Sequence, residues 1–149
     1  GYLGEPPTLS IAKTTLRRVP STLRLTGWHQ DGAFLGSGIR SVNLWLSLSH
    51  CGQDASGLDL LPRRLDYLVE TGTHGAMLDW SVGESLVSQL CEHAPLASPV
   101  FRPGDALLFD ERLLHRTGLP PGMKHNRYAI ESWFFAPSSY PMKQEPLVV

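Results

Sequence analysis

SVNLWLSLS, residues 41–49, decides the fold class. Val42, Leu44, Leu46 and Leu48 alternate with Asn43, Trp45, Ser47 and Ser49, a period of two that becomes two opposite faces in an extended strand. Upstream, residues 21–31 read STLRLTGWHQD. A strand here puts Leu23, Leu25, Gly27, His29 and Asp31 on one face, and Gly32, Gly36 and Gly38 then mark a loop. Downstream, Leu58 to Leu61 is a short β-type run ended by Pro62, and Val100-Phe101 resumes strand character. Pro103-Gly104-Asp105 is a turn signal. Ala106 to Phe109 and Leu113 to Thr117 read as strands, residues 118–122 as a loop, and RYAIESWFF, residues 127–135, as a strongly β-prone strand. The middle, residues 63–94, is least β-like. Within it, residues 81–91 are expected to form a short helix with Ser81 as N-cap and Glu84 completing a capping box. From Ala136 the tail is irregular. Seven or so short strands punctuated by Gly and Pro, with one or two short helices, predict an all-β jelly roll, two packed sheets around a cleft.

A length of 149 residues suits a single domain with one sizeable core, spanning 1–149. With 42% apolar and 18% charged residues the chain is not a disordered one. A formal net charge of -1 offers no field for nucleic acid or anionic lipid. Arg17-Arg18 and Arg63-Arg64 read as solvated surface, and no apolar run is long enough to span a bilayer. Neither nucleic acid nor a membrane is therefore an expected partner. Cys51 and Cys91 lie far apart with no CxxC spacing, which excludes a disulfide framework or zinc site and points to a reducing, cytoplasmic setting. The first residues, GYLGEPP, lack a signal-peptide pattern and an initiator Met, so the chain is expected to lack its natural start.

His29 and Asp31, in WHQDG, point the same way if the segment is extended. Alone, that spacing is common by chance. His115, late in the chain and on the parity of Leu113 and Thr117, completes a two-His, one-carboxylate set. Such a facial triad leaves open metal positions and suits non-haem Fe(II). Arg127 follows twelve residues after His115, at the start of the last strong strand. A buried guanidinium needs an anion, and it grips a carboxylate with two parallel bonds. Thr117 is placed to add a hydroxyl to the same carboxylate. His50 beside Cys51 and His93 near Cys91 match no common ligand spacing. His74 and His125 read as loop residues, and Trp28, Trp80 and Trp133 as packing.

WHQDG, VNLWLSLS, RPGDALLFD, LHRTG and NRYAIESWFF, in that order from about Leu23 to Ala136, resemble the phytanoyl-CoA dioxygenase family. The resemblance implies a cupin-like double-stranded β-helix and the use of Fe(II), 2-oxoglutarate and O2. It implies that His29, Asp31 and His115 bind iron, and that Arg127 with Thr117 holds the far carboxylate of 2-oxoglutarate. Asn43 and Trp45 match positions facing the cosubstrate. The implied activity is hydroxylation of a small organic molecule with succinate and CO2 as co-products; related halogenases carry a small residue where Asp31 stands. Two departures are visible. The N-terminal helical region that supports the larger sheet in the family is expected to be missing, and GLDLLPRRLDYLVETG, residues 57–72, replaces a Gly-rich, His-containing stretch. The rival readings are a cupin-like metalloenzyme without 2-oxoglutarate and a jelly-roll binding module with a structural triad. Arg127 separates the first reading from both.

Overall fold

The alternating stretch forms β3 (Ser41–Ser47), which lies inside the larger of two sheets in a computed structural model describing residues 1–36, 38–92, 94–142 and 146–147. The other elements are β1 (Thr8–Leu9), β2 (Thr15–Val19), α1 (Gly32–Leu35), β4 (Gly57–Leu60), α2 (Glu84–Cys91), β5 (Ala106–Asp110), β6 (His115–Gly118), β7 (Arg127–Phe135) and a 3-10 turn at Pro137–Ser139. In the larger sheet β3 pairs antiparallel with β5 on one side and β7 on the other. The far edge of β7 is shared: β2 covers its first half, from Arg127 to Glu131, and β1 covers its end. The smaller sheet is β4 against β6, widened by isolated bridges His29↔His115, Trp28↔Val82 and Leu60↔Ala97. The all-β jelly roll with two short helices expected from the pattern is the architecture observed.

Along β3 the buried parity is Ser41, Asn43, Trp45 and Ser47, while Val42, Leu44 and Leu46 are only half-buried on the opposite face. β7 alternates likewise, with Arg127 and Ala129 buried and Tyr128 exposed. The space between the sheets is thus lined by polar as well as apolar groups. The apolar packing lies to either side. One cluster, with Trp28, Leu61, Leu65, Val82 and Leu114, joins the smaller sheet to α2. Another, with Trp45, Cys51, Leu58, Phe101 and Phe109, fills part of the interior between the sheets.

Three local expectations are corrected. Residues 21–31 do not form a strand: only Trp28 and His29 make bridges, and Asp31 is the N-cap of α1 in helical conformation, φ -56° and ψ -33°. The reason is a close approach that only Gly32 permits. Its N–H donates to Glu111 O at 2.8 Å, and a Cβ there would sit 3.1 Å from that same oxygen and 2.9 Å from Leu68. Second, α2 starts at Glu84 with Gly83 as N-cap; the Ser81 hydroxyl instead donates to Leu78 O at 2.9 Å, so no capping box forms. Third, β1 and β2 precede the region where strands were expected, because their short sequences gain order from the edge of β7 and not from periodicity of their own. Cys51 and Cys91 are free thiols, and among the described residues no helix is long and apolar enough to cross a membrane. His93 lies outside the described residues.

Candidate metal centre

His29 and His115 face each other across an antiparallel bridge, with His29 N–H donating to His115 O at 2.9 Å and His115 N–H to His29 O at 3.0 Å. Directly opposed residues in such a pair project to the same side, and the two rings lie 4.4 Å apart, centre to centre. Each Nδ1 sits 3.0 Å from the carbonyl two residues earlier, Gly27 O for His29 and Leu113 O for His115. A carbonyl only accepts, so each Nδ1 carries the proton and each Nε2 presents a lone pair. Asp31 Oδ1 lies 3.9 Å from His29 Nε2 and 4.0 Å from His115 Nε2. Its other oxygen, Oδ2, accepts from Asn43 Nδ2 at 3.2 Å, which fixes the orientation of the carboxylate.

The three ligand atoms lie within 4.8 Å of one another, and no other metal-competent cluster occurs among the described residues. Metal–nitrogen and metal–oxygen bonds run about 2.0–2.2 Å, so donors about 4 Å apart bridge through one ion. Burial first, and then the charge of His115, lower the His29 pKa to about 4, with Asp31 partly opposing both. The imidazole is therefore neutral, as a ligand must be. Gln30, between His29 and Asp31, is 1% exposed and fully engaged: its amide donates to Arg112 O at 2.7 Å and Tyr67 O at 3.1 Å, and its oxygen accepts from Val69 N–H at 2.7 Å. It locks the turn between His29 and Asp31 to two other segments. Sequence reading passed over Gln30, because a lone Gln carries no spacing signal. Glu111 escaped for the same reason. Its buried carboxylate accepts from Tyr2 Oη at 2.7 Å and Ser41 N–H at 3.0 Å, anchoring the start of β3.

A cavity of about 190 Å³ opens from the triad between the sheets, lined by Asn43, Trp45, Thr117 and Arg127 among others. All seven residues singled out from sequence thus converge on one site. Arg127 is 1% exposed, and its Nη1 donates to Gly57 O at 2.6 Å. Its Nε has no partner, and it forms no ion pair among the described residues. Burial lowers its pKa to about 10, against a partial upward pull from Glu131. It remains charged at neutral pH, a buried cation lacking an anion. Trp45 Nε1, whose ring lies 5.5 Å from the Arg127 guanidinium, and Asn43 Oδ1 are also buried without partners. Buried polar atoms without a partner call for an explanation, and three of them belong to residues that line this cavity.

Arg17, read as solvated surface, is exposed; it also lines the cavity and sits 3.6 Å from Glu131. One assignment changes. Trp80, read as packing, is 41% exposed beside His29.

The sequence profile of the family described as Phytanoyl-CoA dioxygenase (PhyH) matches residues 10–119. No curated protein matches the chain. Among solved structures it is similar to EctD from S. alaskensis with 2-oxoglutarate and 5-hydroxyectoine, at 19% identity and a TM-score of 0.68, covering 92% of this chain and 47% of that one. It is also similar to AviO1 from Streptomyces viridochromogenes Tue57, at 19% identity and a TM-score of 0.62, covering 93% and 55%. The apo structure of the non-heme monooxygenase ThoJ matches at 16% identity and a TM-score of 0.66, covering 95% and 52%. The chain spans about half the length of these proteins.

Proposed function

The chain belongs to the phytanoyl-CoA dioxygenase family, and on that premise we propose that it is the core of an Fe(II)- and 2-oxoglutarate-dependent dioxygenase that hydroxylates a small organic molecule. The observation that carries this reading is Arg127, a buried cation without an anion in the cavity that also holds the His29–Asp31–His115 cluster. A metalloenzyme without a dicarboxylate, or a binding module, gives that charge no ionic partner and leaves its desolvation only partly offset.

His29, Asp31 and His115 would hold Fe(II), and Arg127 with Thr117 would hold the far carboxylate of 2-oxoglutarate. With O2, that pair supplies oxidising power by converting 2-oxoglutarate to succinate and CO2 while one oxygen atom enters a substrate C–H bond. The chain's own part is orientation and charge. The backbone carbonyls of Gly27 and Leu113 keep Nδ1 protonated, so both imidazoles offer Nε2. Asp31 contributes the anionic ligand, and Asn43 keeps one of its oxygens turned to the histidines. Arg127 has N–H donors in a fixed fork that match a carboxylate, and the Trp45 N–H supports the same anion. Trp45, Leu58 and Phe109 give the cavity apolar walls that keep water from the reacting centre. The free thiols Cys51 and Cys91 support a reducing compartment, the cytoplasm.

The test is anaerobic addition of Fe(II) and then 2-oxoglutarate, followed by visible absorption. A charge-transfer band that needs both additions is expected. Fe(II) uptake with neither a band nor a calorimetric signal for 2-oxoglutarate overturns the cosubstrate assignment.

A further inference from the structure

The three ligands are not equally sheltered. The His29 side chain is 23% exposed, against 6% for Asp31 and 9% for His115. A second cavity, of about 230 Å³, opens on that exposed flank and shares Arg17, His29 and Thr117 with the first. That second cavity borders His29 and does not include Arg127.

The flank is aromatic. The rings of Phe34 and Trp80 each lie 5.7 Å from the His29 ring and 5.9 Å from each other. Both are large and exposed, 52% for Phe34 and 41% for Trp80, and neither belongs to a core cluster. Both are also held in place. Phe34 is on α1, one turn from Asp31, and the Trp80 ring lies so close to Gly27 that a Cβ there would be 3.0 Å from it. Gly27 thus lets the indole rest on the backbone two residues before a metal ligand. Two exposed, anchored rings flanking a reactive centre present a surface for another flat ring.

The charges beside it are unbalanced. Arg127 answers the cosubstrate and Asp31 the metal, which leaves Lys13 and Arg17 against Glu131 alone on the lining. Arg17 faces inward from edge strand β2, opposite Ala129, and Lys13 Nζ lies 4.7 Å from the Trp133 ring.

Resting on the oxygenase reading above, we propose that Phe34, Trp80 and Arg17 form the seat of the primary substrate, a small organic anion with a flat, aromatic body. The rings hold the body beside His29, and Arg17 takes the carboxylate.

The experiment uses protein loaded anaerobically with Fe(II) and 2-oxoglutarate, the loading verified first by its own absorption band. Phenylacetate, phenylpropionate and indole-3-acetate are then titrated by calorimetry alongside their uncharged amides and cyclohexylacetate. At least one aromatic acid is expected to bind more tightly than both its amide and the saturated acid. Trp80→Ala and Phe34→Ala are each expected to weaken it by about threefold to tenfold, the range for an aromatic contact. Arg17→Gln is expected to erase the preference for acid over amide while loading stays unchanged. Because the three side chains are exposed, these variants keep the fold, and Phe34→Leu controls for lost apolar area. If no aromatic acid outbinds its amide, or if Trp80→Ala and Phe34→Ala both bind like wild type, the seat is wrong while the oxygenase reading stands. If wild type fails to load, the oxygenase reading falls and takes this inference with it.

Discussion

Replacing Arg127 by Met separates two effects that act in opposite directions. In the metal-free protein Arg127 is a burden: burial lowers its pKa well below the usual guanidinium range, to about 10. At neutral pH the group is charged both folded and unfolded, so the full shift counts against folding, on the order of 3 kcal/mol at 1.36 kcal/mol per unit. Against this stands its bond to Gly57 O at 2.6 Å, roughly 1.5–3 kcal/mol for a charged hydrogen bond. Met fills similar volume without charge, so the metal-free variant should be as stable as wild type or up to about 2 kcal/mol more stable. At roughly 2–4 °C per kcal/mol for a chain of this size, Tm rises by a few degrees at most. Cosubstrate binding should move the other way. Losing two charge-assisted bonds to the far carboxylate costs about 3–6 kcal/mol, a hundredfold or more in affinity. Arg127→Lys keeps the charge but not the fork, so its loss should be smaller, about tenfold. The assays are thermal unfolding of chelator-treated protein and a 2-oxoglutarate titration of the Fe(II) form. A large drop in Tm combined with unchanged 2-oxoglutarate affinity in Arg127→Met would refute the reasoning, since it would make Arg127 a structural residue.

Asp31→Ala removes the anionic ligand and is expected to abolish stoichiometric Fe(II) binding in equilibrium dialysis; equal occupancy in wild type would show that the triad is not the site. Asn43→Leu frees Asp31 Oδ2 and should lower metal affinity about tenfold to a hundredfold, as losses of such supporting bonds do, with little change in Tm. Gln30→Leu strands Val69 N–H and the carbonyls of Tyr67 and Arg112, a cost of about 2–4 kcal/mol, read as a lower urea midpoint. In metal-free protein His29 has its pKa lowered to about 4. A lowered histidine is protonated first in the unfolded state, so its contribution is constant above about pH 6.5 and stability is lost as pH falls from there towards 4. Urea midpoints should fall across that window in wild type and less steeply in His29→Gln; parallel slopes would contradict it.

What the sequence by itself determined was periodicity and chemical type. The alternation in residues 41–49 and 127–135 identified β3 and β7, whose two-residue period needs no partner to be visible. His29, Asp31, His115 and Arg127 were legible because few residue types bind metals or carboxylates, and each stands on or beside a recognisable strand. Tertiary structure decided which face is which. In β3 the interior takes Asn43 and Trp45 and leaves Leu44 and Leu46 half-buried, because the opposing sheet encloses a lined cavity. It also decided how the candidate ligands meet. Asp31 faces the histidines from the cap of α1, not from a strand, because Gly32 closes on Glu111 from a distant part of the chain. Gln30, Glu111, Phe34 and Trp80 were invisible for the same reason: their roles arise from neighbours brought together by pairings such as His29↔His115. Periodicity reports how a segment divides its own faces, and only long-range contacts settle what each face meets.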